Sequence, residues 1–278
     1  MNKLAFSKYS GAGNDFILID NRDGKFPYHK KEIIPAMAER RISIGADGLI
    51  LLENSDKADI KMRYFNSDGG EAEMCANGAR CLIAFAKRLG IEKEKYTIEA
   101  MERIIHARFI ENEIEIELGA PDDIQLNITV EVDGTSHQIH CLNTGVPHAV
   151  IFTDDIESAD VIGLGRRIRY HDKFQPKGTN VNFVEISDED YIKVRTYERG
   201  VEDETLACGT GMIASAIVSY LIHKVKTPVW LLVRSNEILR VDFKDGEGTF
   251  ESVALRGPAD LIYDGVYHYN KKANIRYT

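Results

Sequence analysis

Two cysteines, Cys75 and Cys208, stand in matching surroundings, and the match extends in register along the whole chain. Cys75 lies in FNSDGGEAEMCANGARC (65–81) and Cys208 in YERGVEDETLACGTG (197–211), each followed by small residues and then a helical pattern. Gly13 precedes Cys75 by 62 positions and Gly145 precedes Cys208 by 63. Gly45 and Gly178 each lie 30 upstream of their cysteine, and Asn66 and Arg199 each lie nine upstream. Gly119 and Gly257, each followed within two residues by a proline, follow at 44 and 49. One such coincidence would carry little, but several in register argue for two homologous halves built on one plan.

Periodicity gives that plan. Leu4–Tyr9, Phe16–Ile19, Leu49–Glu53, Ile60–Phe65 and Glu113–Leu118 read as strands, and Lys30–Ile42 and Ala79–Leu89 carry helical spacing. After Gly119 the signals begin again, with strands at Asn182–Ile186 and Ile192–Tyr197, a helix at Thr210–His223, and closing strands that include Ala259–Tyr263. The expected fold class is α/β (α+β): two pseudo-symmetric domains, each of mostly antiparallel strands wrapped around a central helix, with the active site in the interdomain cleft. The expected bounds are 1–119 plus 264–278 for the domain carrying Cys75 and 120–263 for the domain carrying Cys208. A length of 278 residues suffices for two such cores.

A cysteine at the start of a helix sits where backbone N–H groups and the helix dipole favour a thiolate or a bound anion. Two of them on opposite walls of a cleft suit inversion at a carbon: one thiolate removes a proton from one face and the opposite thiol delivers one to the other. A free cysteine ionises near about pH 8.5, and a helix N-terminus brings that down, so one of the pair can be charged near neutrality. Like charges facing each other then keep the second protonated. The amides of Ala76, Asn77, Gly78, Gly209, Thr210 and Gly211 are candidates to hold a substrate carboxylate as charge develops.

Composition narrows the alternatives. With 35 basic and 44 acidic side chains, a net charge of −9 and no basic patch, the chain does not read as a nucleic-acid binder. No apolar run approaches a membrane span and no leader pattern opens the sequence, so a cytoplasmic location is expected. Four cysteines in so long a chain do not make a disulfide scaffold, and without a C-x-x-C pair a metal site is not expected. No cofactor motif stands out and none is expected, although the residues alone leave a pyridoxal-phosphate lysine open. Cys81 and Cys141 read as buried small hydrophobes, and Arg80 as a surface residue or one partner of an ion pair.

SGAGNDF (10–16), FNSDGGEAEMCANGARC (65–81), GTNVNF (178–183) and YERGVEDETLACGTG (197–211) resemble, in order, the signatures of the diaminopimelate epimerase family, over essentially the whole chain. That resemblance implies two pseudo-symmetric domains, no cofactor, and interconversion of LL- and meso-diaminopimelate, in lysine and peptidoglycan-precursor biosynthesis, by a thiolate–thiol pair. It implies Cys75 and Cys208 as the pair, His148 near one and Glu198 near the other to orient or exchange a proton, and Asn14, Asn66, Asn77, Asn180, Glu198 and Arg199 in the substrate site. The planar fork of Arg199 suits a carboxylate. The resemblance also implies a small amino-acid substrate and a homodimer. Three departures stand out: Ser10 where the family usually has histidine, Ala76 where it has glycine, and Val146 where many members have asparagine. Because related proteins racemise proline, hydroxyproline or histidine, another amino acid is the alternative substrate. A non-catalytic amino-acid-binding homologue is the alternative from another class.

Overall fold

In the computed structural model of the chain, residues 2–72, 74–188, 191–246 and 249–269 are described. The chain divides into two compact units, Met1–Ile116 with Pro258–Thr278, and Glu117–Gly257. The first unit contains β1 (Asn2–Gly11), β2 (Asn14–Asp20), α1 (Ile33–Ala38), β3 (Gly48–Glu53), β4 (Ile60–Asn66), β5 (Glu71–Ala72), α2 (Ala76–Arg88), β6 (Lys95–Ala100) and β7 (Arg103–Ile110); β8 (Glu113–Glu117) runs across the boundary. The second contains β9 (Asp122–Val132), β10 (Thr135–Asn143), β11 (Pro147–Phe152), α3 (Val161–Arg169), β12 (Asn180–Asp188), β13 (Tyr191–Glu198), β14 (Asp203–Thr205), α4 (Gly209–His223), β15 (Val229–Val233), β16 (Ile238–Asp245) and β17 (Phe250–Gly257). A last strand, β18 (Asp260–Tyr269), returns to the first unit.

Each unit builds the same ladder. In the first, β18, β1, β2, β3, β4, β6 and β7 pair in that order; in the second, β9, β10, β11, β12, β13, β15 and β16 do so, with β17 added beside β16. Most pairs are antiparallel. The parallel ones are β2–β3 and β4–β6, matched by β11–β12 and β13–β15, and each is bridged by a helix, because parallel neighbours need a long crossover. The short β5 pairs with β4 as β14 pairs with β13. The repeat read from spacing is therefore a repeat of topology.

Alternation along the strands sends successive side chains to opposite faces. Ile17, Ile19, Leu49 and Leu51 join Ile33 and Met37 of α1 in one cluster, and Ala149, Ile151, Val181 and Phe183 join Val161 and Ile168 of α3 in another. The other faces lie against α2 and α4. Both strand faces of β3 (GLILLE) are covered, and its run of four apolar residues suits a strand with no wet side. Helix α2 packs on β1–β4, and α4 on β10–β13 and β15–β17. Apolar residues fill nearly the whole circumference of α4, which is buried from Gly211 to Ser219, as a helix without a polar face must be.

Two expectations are corrected. The strand expected at Ala259–Tyr263 and assigned to the domain 120–263 is the start of β18, which pairs with β1 from Ser10↔Asp260 to Asn2↔Tyr269, so the segment from Pro258, and not only from 264, belongs to the first unit. Residues 270–278 of the segment assigned to the first domain lie outside the described residues. The helix expected over Lys30–Ile42 is confined to Ile33–Ala38, since Glu39 turns extended (ψ 113°) and Ile42, 70% exposed, has no core to face.

Candidate active site

In the first unit, Cys75 is the N-cap of α2, with extended backbone (φ −131°, ψ 121°), and its thiol does not cap the helix by a side-chain bond. Ala76, Asn77 and Gly78 form the first buried turn, whose amides have no acceptor within the helix. A Cβ on Gly78 would stand 2.7 Å from Ile50 Cδ1. Asn14 opens β2 after the left-handed Gly13 (φ 86°), and Ser10 Oγ accepts the Gly13 amide at 3.2 Å, closing the turn that aims Asn14. The Asn14 amide nitrogen donates to Asp47 Oδ2 (2.7 Å), which leaves its Oδ1 to face the Cys75 thiol and Asn77 Nδ2, each at 3.4 Å.

Behind Asn14 lies an ionic cluster. Arg40 bridges Asp15 (2.5 Å) and Asp47 (2.7 Å), and the buried Lys8 reaches Asp15 at 2.8 Å and the Gly45 carbonyl. Burial pushes the Asp15 carboxyl up, but hydrogen bonds from Arg40 and Lys8 outweigh it and hold the group below the usual carboxylate range. Asn66 ends β4 opposite Gly48 and is exposed, and Ala76, one of the departures from the family pattern, is buried.

The second unit repeats the arrangement in different chemistry. Cys208 is the N-cap of α4 (φ −115°, ψ 108°), again with no side-chain cap bond, and Gly209 and Thr210 begin the helix. Cys208 is 7% exposed, and its Sγ lies 3.6 Å from Thr210 Oγ1. On the other side of that hydroxyl is His148 Nε2 at 3.0 Å. Burial, reinforced by the Arg199 charge, pushes His148 down to about 3, so it is neutral near physiological pH. His148, expected near one of the cysteines, lies one hydroxyl away from Cys208.

Asn180 opens β12. Its Nδ2 donates to the Pro147 carbonyl (3.1 Å) and its Oδ1 accepts the Arg199 amide (2.9 Å), so both ends of the side chain brace the loops around it. Arg199 is half-buried, with one guanidinium nitrogen donating to the Lys177 carbonyl at 2.8 Å. Glu198 ends β13 opposite Asp203 and is half-buried. Val146, where the family often has asparagine, stands next to Gly145 as Asn14 stands next to Gly13; its carbonyl accepts the Thr144 amide at 3.2 Å.

Within the units, then, Asn14, Cys75 and Asn77 come together, as do His148, Cys208 and Thr210, and Asn180 with Arg199. Sequence reasoning missed Arg40, Asp47, Asn182 and Thr196. The trace of Asn182 was present in Asn180-Val181-Asn182: two asparagines two apart in a strand share a face. Arg80 is not at the surface: it is fully buried in α2, with Nε donating to the Pro258 carbonyl (3.2 Å), and among the described residues neither terminal nitrogen has a hydrogen-bond partner. Burial pushes its pKa down, against the opposing influence of the Cys81 and Cys75 thiols. Burial raises the buried Cys81 above the usual thiol range and pushes the half-buried Cys141 up to about 11, which suits unreactive thiols. Among the described residues no three metal-ligating side chains gather, and no helix is long and apolar enough to cross a membrane.

The sequence profile of one family, described as "Diaminopimelate epimerase", matches residues 6–121 and 140–262. A diaminopimelate epimerase from Aquifex aeolicus is 45% identical over 274 residues, covering 94% of this chain and 97% of the relative. One from Flavobacterium psychrophilum is 43% identical, covering 92% and 97%, and one from Archaeoglobus fulgidus is 36% identical, covering 97% and 98%. Among solved structures, a phenazine biosynthesis protein of the PhzF family from Bacillus anthracis superposes with a TM-score of 0.72 at 17% identity, covering 97% of this chain and 100% of that one. A probable proline racemase from Agrobacterium radiobacter gives 0.71 at 10% identity, covering 98% and 94%. At such identities these two likenesses concern the fold alone.

Proposed function

The chain belongs to the diaminopimelate epimerase family of isomerases, and from that premise we propose that it interconverts LL- and meso-diaminopimelate with Cys75 and Cys208 as opposed acid and base. The observation that carries the reading is the duplicated setting of the two thiols: each unit starts its central buried helix directly after a cysteine in extended conformation. A base placed there is favoured as thiolate, and amides of the following turn are donors to a substrate carboxylate.

The reaction needs little else from the protein. One thiolate takes the α-proton, the electron pair is delocalised toward the carboxylate, and the second thiol returns a proton to the other face. The negative charge that grows on the carboxylate is met by the amides of Ala76, Asn77 and Gly78, and of Gly209 and Thr210, as preorganised donors. Asn14 orients the Cys75 thiol through its carbonyl oxygen. Arg199, its plane held by the Lys177 carbonyl, clamps a carboxylate, and Asn66, Asn180 and Glu198 contribute to substrate recognition. No cofactor or metal is required by this scheme.

Val146 supports a second reading of the substrate. With no amide at that position, one polar contact to the non-reacting end is absent, and a shorter amino acid becomes the alternative. A panel of diaminopimelate, proline, hydroxyproline and histidine, followed by α-deuterium incorporation in heavy water, decides between them. Turnover of LL-diaminopimelate to the meso form supports the principal reading; binding without exchange of any member would sink it in favour of a binding protein. The same reading takes the chain as cytoplasmic and as a homodimer. Leu261, Ile262 and Val266, exposed on β18, offer apolar surface to a second copy, and sedimentation tests that part.

A further inference from the structure

The two units share one ladder, so positions in one have counterparts in the other. In β2–β3, Phe16 stands beside Gly48; in β11–β12, His148 stands beside Asn180. Two residues further on, Ile50 of β3 matches Asn182 of β12, and their antiparallel partners are Tyr64 and Thr196. Gly78 and Gly211 cross above them: a Cβ at 78 would meet Ile50, and one at 211 would lie 2.4 Å from Asn182 Oδ1. Beneath the first turn of α2 the site is apolar, with Phe16 edge-on to Tyr64 at 6.0 Å. Beneath the first turn of α4 it is polar and dry: His148 is 1%, Asn182 0% and Thr196 2% exposed. The fold accommodates an apolar filling here, so the polar one calls for another reason, given the cost of burying unneeded polar groups.

The hydrogen bonds are directional. Asn182 Nδ2 lies 3.2 Å from the Ala149 carbonyl, which can only accept, so the nitrogen and oxygen of the amide are fixed. Its Oδ1 accepts from Thr196 Oγ1 at 2.9 Å, in agreement. The remaining amide proton points at His148 Nδ1, 3.0 Å away, which must therefore be the unprotonated nitrogen. A neutral imidazole then carries its proton on Nε2, which donates to Thr210 Oγ1. With that oxygen accepting from histidine, the hydroxyl's own proton is directed to its other neighbour, Cys208 Sγ.

We propose that Asn182, anchored by Thr196, is a positioning residue that fixes His148 in the Nε2–H tautomer and thereby turns the Thr210 hydroxyl proton toward Cys208. A donor on that sulfur favours the thiolate, so the chain Thr196–Asn182–His148–Thr210 prepares Cys208 as a base. The charge acting on His148 is that of Arg199, which has the same sign as an imidazolium and so also keeps the ring neutral. The use of this arrangement in turnover rests on the thiol pair proposed above; the proton arrangement does not.

The test therefore uses nuclear magnetic resonance on the whole, substrate-free chain, with ¹⁵N-labelled histidine and ¹³Cβ-labelled cysteine. His148 should show a protonated Nε2 and a bare Nδ1 between pH 8 and 5. Thr210→Val and Asn182→Leu should each move the ionisation midpoint of Cys208 up by about one pH unit, a tenfold loss of thiolate at fixed pH, while Thr210→Ser restores it. A proton on Nδ1, a charged His148 near neutrality, or a Cys208 midpoint indifferent to Thr210→Val would overturn the proposal. The wild-type tautomer and the Thr210 variants decide the matter even where Asn182→Leu does not fold. Absence of epimerase turnover with these signals intact would sink the functional reading and leave the relay standing.

Discussion

Gly211 of α4 and Asn182 of β12 are so close that a methyl group on the glycine would lie 2.4 Å from the asparagine Oδ1. Asn182 is held by Thr196, Ala149 and His148 and cannot step aside, whereas the corresponding contact of Gly78 is with Cδ1, the far end of Ile50. Alanine favours a helix over glycine by up to about 1 kcal/mol, and overpacking a rigid site costs about 1–3 kcal/mol. Gly211→Ala should therefore lower the thermal midpoint and Gly78→Ala should change it less. Differential scanning calorimetry of the two variants checks this, and equal effects would mean that Asn182 is not rigidly held.

His148 gives a pH dependence with a definite sign. Its pKa is pushed from an ordinary 6.5 down to about 3 by burial, so between these values the unfolded chain binds a proton that the folded chain does not. The stability this provides is fully present above about pH 6.5 and is lost as pH falls toward 3. His140 is displaced in the same direction by burial and adds to the trend. Urea midpoints should decline from pH 7 to pH 4, and His148→Gln should flatten part of that decline. An unchanged slope in the variant would show that His148 is not held neutral.

Asp47 is expected to act on the reaction without touching substrate. Its Oδ2 accepts a hydrogen bond from Asn14 Nδ2 and the carboxylate is itself held by Arg40, so that Asn14 Oδ1 faces Cys75. Asp47→Ala frees the amide to rotate, and a misdirected hydrogen bond of about 1.4 kcal/mol corresponds to a tenfold loss in kcat/KM. Asp47→Asn, which keeps an acceptor, should recover part of it. Steady-state kinetics with the substrate identified by the panel measures both.

Arg80 makes the opposite prediction from its appearance as a charged residue in a motif. A fully buried guanidinium with one bond, to the Pro258 carbonyl, is costly to desolvate, and an apolar replacement of similar length is often neutral or stabilising. Arg80→Met should keep or raise the thermal midpoint. A fall of more than a few degrees would mean that the charge is better compensated than its hydrogen bonds indicate.

Much of the fold was legible because its repeat rests on backbone geometry that leaves residue-level traces. Gly13 and Gly145, and Gly45 and Gly178, all have positive φ, the conformation that favours glycine, and they kept the two halves in register. The return of the chain to the first unit was expected from residue 264, but its start at Asp260 was not legible, because a pairing across the length of the chain has no local signal. The cysteines were visible through their helix starts and the motifs around them. Asn182 and Thr196 were hidden because polar residues recur along both of their strands, and only the ladder places these two under Gly211. Arg80 was misread because charge ordinarily signals exposure, a rule that this fully buried arginine breaks.

Initial-rate turnover of LL-diaminopimelate in heavy water tests whether two thiols work from opposite faces of the substrate carbon. Early in the reaction, the meso product should carry solvent deuterium at the inverted carbon while recovered substrate carries none, because different groups remove and return the proton. Cys75→Ser and Cys208→Ser should each reduce that turnover by orders of magnitude while leaving the fold intact. Product that retains the substrate's own α-hydrogen, or a single-cysteine variant with full activity, would contradict it.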